Sequence, residues 1–210
     1  MKTKFKVFSL LIMISLFGIN AYGQEYDCNA ENNQFRSDKN AWIIQDVDKP
    51  FNAADIADFN GLFYYPVDCK YVFTGKLTSP GALKVIEVAT SKGGTAQVYD
   101  YGTLSVNIGG QTYDFTVYKN IDLPEFDKTQ ETIFIPIMDE TSGQKPKTTF
   151  ANGRYLVIKP PASGNKVMVD FNMAINPFEN YNSNYSTLLV PASNVILAPI
   201  ATGERKYEDR

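Results

Sequence analysis

The stretch 103–118, TLSVNIGGQTYDFTVY, decides the fold. Leu104, Val106 and Ile108 alternate with Ser105 and Asn107, and Tyr113, Phe115 and Val117 alternate with polar residues on the return. A period of two marks strands with one face buried, and Gly109-Gly110 supplies the residues that a two-residue hairpin turn demands. That loop sets the register. Val106 falls opposite Tyr113 and Leu104 opposite Phe115, so the apolar side chains of both strands share one face. Such a face needs a second layer over it, which makes this hairpin half of a core.

Working outward, residues 70–77, 82–90 and 95–101 are rich in β-formers and are separated by Ser79-Pro80-Gly81 and Gly93-Gly94, a pattern that predicts an antiparallel meander. Residues 132–137 and 195–201 read as further strands, with Pro136 placing the first at an edge or a bulge. The stretch 150–177, FANGRYLVIKPPASGNKVMVDFNMAINP, contains two apolar runs, 154–159 and 166–171, around the turn-forming Pro160-Pro161-Ala162-Ser163-Gly164-Asn165. They predict a hairpin. Both parities are apolar, which makes the hairpin central; a symmetric loop sets Tyr155 across from Asp170 and Arg154 across from Phe171, a slip of one residue sets Arg154 across from Asp170 or Asn172, and the long loop leaves the register open. Residues 176–191 then form a long polar and aromatic loop, and loops of that length often carry function.

The N-terminal part is different. Lys2, Lys4 and Lys6 precede an apolar run at 7–19 and then Ala21-Tyr22-Gly23, the pattern of a secretory signal peptide rather than a membrane span. The expected divisions are therefore a signal peptide at 1–23, a polar arm at 24–51 and a β-domain at 52–206. The mature chain starts at Gln24 in the periplasm or outside the cell. Cys28 follows Gln24-Glu25-Tyr26-Asp27, which is no lipidation context. Short helices are expected near 31–36 or 52–58, the latter capped by Asn52. The fold class is thus all-β, a single antiparallel domain forming a sandwich or partly open barrel, with one or two short N-terminal helices.

Composition excludes several functions. Removing residues 1–23 takes three lysines and no acid from a formal charge of −3, leaving −6, and no Lys/Arg cluster remains to bind nucleic acid. No later segment is apolar enough to span a membrane. With no histidine, Ser-His-Asp, Cys-His and histidine-metal chemistry are ruled out. Two cysteines, Cys28 and Cys69, make a disulfide an option in an oxidising compartment and a structural zinc site improbable. No cofactor motif is present, because Gly93-Gly94 and Gly109-Gly110 sit between strands as turns.

Several segments resemble, in order, the DUF1684 family of bacterial proteins. They are Phe59-Asn60-Gly61-Leu62-Phe63-Tyr64-Tyr65-Pro66-Val67-Asp68, residues 113–120, Asp139-Glu140-Thr141-Ser142-Gly143, Gly153-Arg154-Tyr155-Leu156, Asp170-Phe171-Asn172, Asn176-Pro177, Asn194 and Thr202-Gly203-Glu204-Arg205. The resemblance covers residues 52–206 and supplies positions rather than a reaction. Where the family pattern carries two cysteines, this chain has Glu179 and Thr187. Joint loss of both thiols fits a dispensable disulfide and is incompatible with thiol chemistry. Ala174-Ile175 and Phe150-Ala151-Asn152 also depart from the pattern.

Two functional readings stay open. In the first, an exported β-domain binds a small polar or anionic ligand, or a protein partner, through a pocket ringed by Arg154, Tyr155, Asp170, Asn172, Asn176 and Asn194. In the second, a hydrolase uses Asp170 with Glu179 or Glu204, which requires two carboxyls facing one cleft about 5–10 Å apart. Each residue also has a structural alternative. Arg154 can pair with an internal carboxylate, Asp139 can bond its own backbone in an Asp-Glu-Thr-Ser-Gly turn, and Asn194 can cap a turn. Asp170, Asn172 and Asn176 all offer oxygen, but one carboxylate is too few for a convincing calcium site, and no metal is assigned.

Overall fold

The computed structural model describes residues 26–45, 50–121, 123–126, 131–143 and 148–207; the signal peptide expected at 1–23 and the expected mature start, Gln24, lie outside these. The elements are α1 (Cys28–Ile43), α2 (Ala53–Ala57), β1 (Val72–Thr78), β2 (Lys84–Ala89), β3 (Thr95–Ile108), β4 (Gln111–Asn120), β5 (Ile133–Ile137), β6 (Arg154–Ile158), β7 (Lys166–Asp170) and β8 (Ala174–Ile175). All the ladders between these strands are antiparallel, in the order β7-β1-β3-β4-β5-β6-β8 with β2 added to β3. The result is one curled half-barrel sheet.

The β3–β4 hairpin forms in the expected register, with Leu104 opposite Phe115 and Val106 opposite Tyr113. Gly109 and Gly110 both take positive φ, 61° and 90°, as a two-residue turn of this hand requires. Upstream, the meander is not a simple one. Residues 95–101 and 103–108 are one long strand, whose first half pairs with β2 and whose second half pairs with β1. Gly102 makes this work: the β3–β4 register shifts between Asp100 and Gly102, and the glycine sits at φ 116° with Thr78 O only 2.1 Å from where a Cβ would lie. The bulge lets β1 and β2 lie end to end along a single strand.

The expected pairing of 154–159 with 166–171 does not occur. β6 is paired by β5 along its whole length and by β8 at Tyr155 and Leu156, which takes part of its second edge. β7 instead pairs with β1, Asp170 opposite Val72 and Met168 opposite Thr74. β6 and β7 approach each other without a ladder, across the open seam of the half-barrel. Residues 195–201 also fail to form a strand. They bend at residues 197–198 and bridge from Val195 to Met138, just after β5, while Ile196 and Ile200 enter the core beside Ile135 and Ile137.

Alternation sorts the two sheet faces. Ile133, Ile135, Ile137, Leu156 and Ile158 join Leu104, Val106 and Phe115 in the concave core, and Phe134, Tyr155 and Val157 meet Phe126, Ile175 and Leu188 on the other side. That second face is covered by α1, a 16-residue helix in place of the short one expected. Asp27 caps it, accepting from the backbone N–H groups of Asn29 and Ala30. Asn52 caps α2, and Asp55 completes a capping box. A disulfide joins Cys28, at the start of α1, to Cys69 just ahead of β1, which fixes one end of the helix to the sheet.

Candidate functional site

Three of the six sequence-derived site residues converge on the C-terminal segment. Arg154 starts β6 and is fully buried; its Nη2 donates to Asp139 Oδ2 at 2.8 Å and to Ile200 O at 3.1 Å, and its Nη1 donates to Thr202 O and Glu204 O. Asp139 Oδ1 in turn accepts from Thr141 N and Ile200 N. Asn176, next to β8, donates its Nδ2 to Arg205 O, while its backbone N–H donates to Glu204 Oε2. Asn172 holds Asp68 with both ends of its amide and accepts from the hydroxyl of Thr202. Asp170 adjoins this group: its Oδ1 accepts from both nitrogens of Asn172 and its Oδ2 from Tyr26 and from Asn32 of α1.

The other two lie elsewhere. Tyr155 points to the opposite face of β6, among Phe126 and Phe134, and its hydroxyl accepts from Leu188 N. Asn194 replaces a missing piece of ladder. Continuing the Tyr118–Phe134 register sets Thr116 opposite Pro136, which has no N–H to give. The Asn194 side chain enters that gap, accepting from Thr116 N and donating to Thr116 O and Pro136 O. The six residues therefore do not ring one pocket; all six hydrogen-bond to main chain, and each does so from a buried position.

The carboxylates proposed for hydrolysis are similarly engaged. Glu204 is buried, its oxygens taking Tyr181 OH and Asn176 N, and burial holds its carboxyl above the ordinary range against the opposing charge of Lys39. Glu179 Oε2 accepts from Ser91 Oγ and Asn152 Nδ2. Ser91 Oγ also accepts from Thr187 N, so the two positions where the family pattern has cysteines are joined here through one serine. Among the described residues no group of three or more Cys, Asp or Glu could hold a metal ion.

A cleft of about 660 Å³ opens elsewhere, between α1 and the sheet. Helical spacing explains it. Cys28, Asn32, Lys39 and Ile43 are the buried stripe of α1, whereas Glu31, Phe35, Asp38 and Trp42, at offsets of four, seven and eleven, overhang the cavity. Phe126, Val157, Met173 and Ile175 form its apolar wall, and Gln34, Glu131, Thr132 and Lys159 complete the rim. The Lys39 ammonium lies 4.8 Å from the centre of the Trp42 ring and 5.9 Å from that of Phe178.

Glu125 is the unusual group in this cleft. It is 3% exposed, its Oε1 accepts from Phe178 N at 3.1 Å, and its Oε2 has no hydrogen-bond partner among the described residues. Burial raises its pKa, with the N–H donors and Lys39 opposing and Glu179 adding to the rise. A buried acceptor left without a partner costs about 1–3 kcal/mol, so such a group is either satisfied by something that binds or maintained at that cost. The cleft is not legible in the sequence because α1 reads as polar. The available signal was the Asp27 cap followed by Phe35 and Trp42 seven residues apart.

No curated protein matches the chain. Among solved structures, an uncharacterised protein of Haloarcula marismortui, determined by solution NMR, is 26% identical and superposes with a TM-score of 0.64, over 84% of this chain and 92% of that one. The model of a protein family of unknown function, DUF1684, matches residues 57–205, most of the chain. The segments that carried the resemblance fall inside that match, and the chain belongs to the DUF1684 family.

Proposed function

We propose that this protein is an exported β-domain that binds a small polar molecule with an apolar body, in the cleft between α1 and the sheet. The observation that carries this reading is Glu125, a buried carboxyl with one unpartnered oxygen, lining a cavity of ligand size with aromatic walls. Binding is favoured over hydrolysis because Asp170 and Glu204 have both oxygens engaged by internal donors, and Glu179 is held by Ser91 and Asn152. The anionic alternative leaned on Arg154, whose guanidinium already faces Asp139 and three main-chain carbonyls. Arg154, Asp170, Asn172, Asn176 and Asn194 serve this function by holding the frame against which α1 docks.

Export is part of the same proposal. The lysine-led apolar run at 7–19 supports it, as does a Cys28–Cys69 disulfide, a bond that persists in oxidising compartments. N-terminal sequencing of protein secreted from a Gram-negative host should return Gln24; Met1 would end this part of the reading. Binding is tested through Trp42, the single tryptophan of the chain and a wall of the cleft. Titration of the mature protein with short amphiphiles should shift or quench its emission saturably. An unresponsive Trp42 across neutral, cationic and anionic head groups would contradict binding at this cleft.

A further inference from the structure

We infer that the cleft selects an amphipathic amine, an apolar chain or ring carrying one ammonium group; this rests on the binding reading above and specifies its ligand. Four acids line the cavity, Glu31, Asp38, Glu125 and Glu131, against two lysines, Lys39 and Lys159. Charge alone would describe only a solvated rim, since Glu31, Asp38 and Glu131 are exposed. Glu125 differs from them. It is nearly fully buried beside Phe126, and its Oε2 has no hydrogen-bond partner among the described residues.

An ammonium answers both features at once. It donates to Oε2 and brings a positive charge to a carboxyl that Lys39 only partly offsets. Its apolar part lies against Phe35, Trp42 and Ile175, where burial and the negative faces of the rings both favour it. A carboxylate ligand meets the reverse, a like charge from Glu125 with no hydrogen to share. An alcohol can donate to Oε2 but gains nothing from the acidic rim, which places it between the two.

The experiment uses three probes of one chain length, n-octylamine, n-octanol and n-octanoate, titrated at pH 7 into the mature protein with Trp42 emission as the readout. Octylammonium should bind roughly tenfold or more tighter than octanoate, a factor equal to about 1.4 kcal/mol, with octanol between them. Glu125→Gln keeps the oxygen that accepts from Phe178 and removes the charge, so it should shrink the amine's advantage over octanoate to roughly threefold or less. Octanoate binding tightest, equal binding of all three, or an amine preference that survives Glu125→Gln would overturn the amine assignment and leave the cleft as a binding site. Silence of Trp42 to all three would remove the binding reading itself. If Glu125→Gln does not fold, the ranking of the three head groups on the unsubstituted protein still decides the assignment.

Discussion

The network around Arg154 and the cleft beneath α1 are built from similar residue types and do opposite things with them. In the first, a buried guanidinium, a carboxylate and two asparagine amides find partners in each other and in the main chain of residues 200–205. In the second, a buried carboxylate faces a cavity with one oxygen unmatched. Density of polar residues in a sequence therefore marks where main chain needs fixing as readily as where a ligand binds. What separates the two is where the unmatched atom lies: Arg154 Nε and Asn176 Oδ1 also lack partners among the described residues but are packed inside the frame, whereas Glu125 lines a cavity, and that depends on contacts distant in sequence.

The comparison breaks most visibly at Arg154. Arg154→Ala leaves Asp139 buried without its cation and frees three carbonyls, so it should cost about 3–5 kcal/mol in chemical denaturation. In a background that still folds, the Trp42 response to octylamine should be unchanged. Loss of that response at small stability cost would move the site back to Arg154.

Next in size is the disulfide. Cys28→Ser with Cys69→Ser opens a link between residues 41 apart and should cost about 2–4 kcal/mol. It also releases the start of α1 from the sheet, and a helix that loses its anchor should loosen the cleft, moving Trp42 emission toward that of exposed indole. A stability loss with no change at Trp42 would show that α1 is held by its packing alone.

Asn194→Ala should cost about 1–3 kcal/mol, because Thr116 N, Thr116 O and Pro136 O lose their partner where no strand pairing can replace it. Asn194→Asp keeps the acceptor and loses the two donated bonds, which sharpens the assignment. A fully stable Asn194→Ala would mean the gap beside Pro136 is filled some other way.

The smallest effect is a slope. Glu125 and Glu204 both have pKa values raised above 4.5, chiefly by burial. Between that value and the raised one the native state keeps a proton that the unfolded chain has released. Their contribution is therefore full below about pH 4.5 and is lost as pH rises through the folded value. Replacing either with Gln should flatten the fall of denaturant midpoint above pH 4.5. Variants that track the unsubstituted protein across that range would contradict the upward shift of these two carboxyls.

Much of this was legible in the sequence, and the failures have physical causes. The β3–β4 register followed from alternation and two glycines, because short-range turn geometry dictates it. The structural alternatives held for Arg154, which pairs with the internal carboxylate of Asp139, and for Asp139, whose Oδ1 accepts from Thr141 N within its own turn. The β6–β7 pairing was misjudged because two adjacent apolar runs with a turn between them look alike whether the chain doubles back or crosses a seam. The pairings made by distant segments, β5 and β8 with β6 and β1 with β7, decide it. The long β3 was divided at Gly102, where a glycine that reads as a break is a bulge within one strand. The cleft escaped notice because its lining comes from α1, the segment around Glu125, β6 and β8, which no local pattern connects.

The most direct test sets the two regions against each other in one spectrum. Octylamine added to isotope-labelled mature protein should shift the backbone amides of α1 from Gln34 to Trp42 and those of Val157, Met173 and Ile175. The side-chain NH₂ resonances of Asn172, Asn176 and Asn194 should stay in place. Shifts concentrated on those three asparagines, with α1 unmoved, would contradict the account.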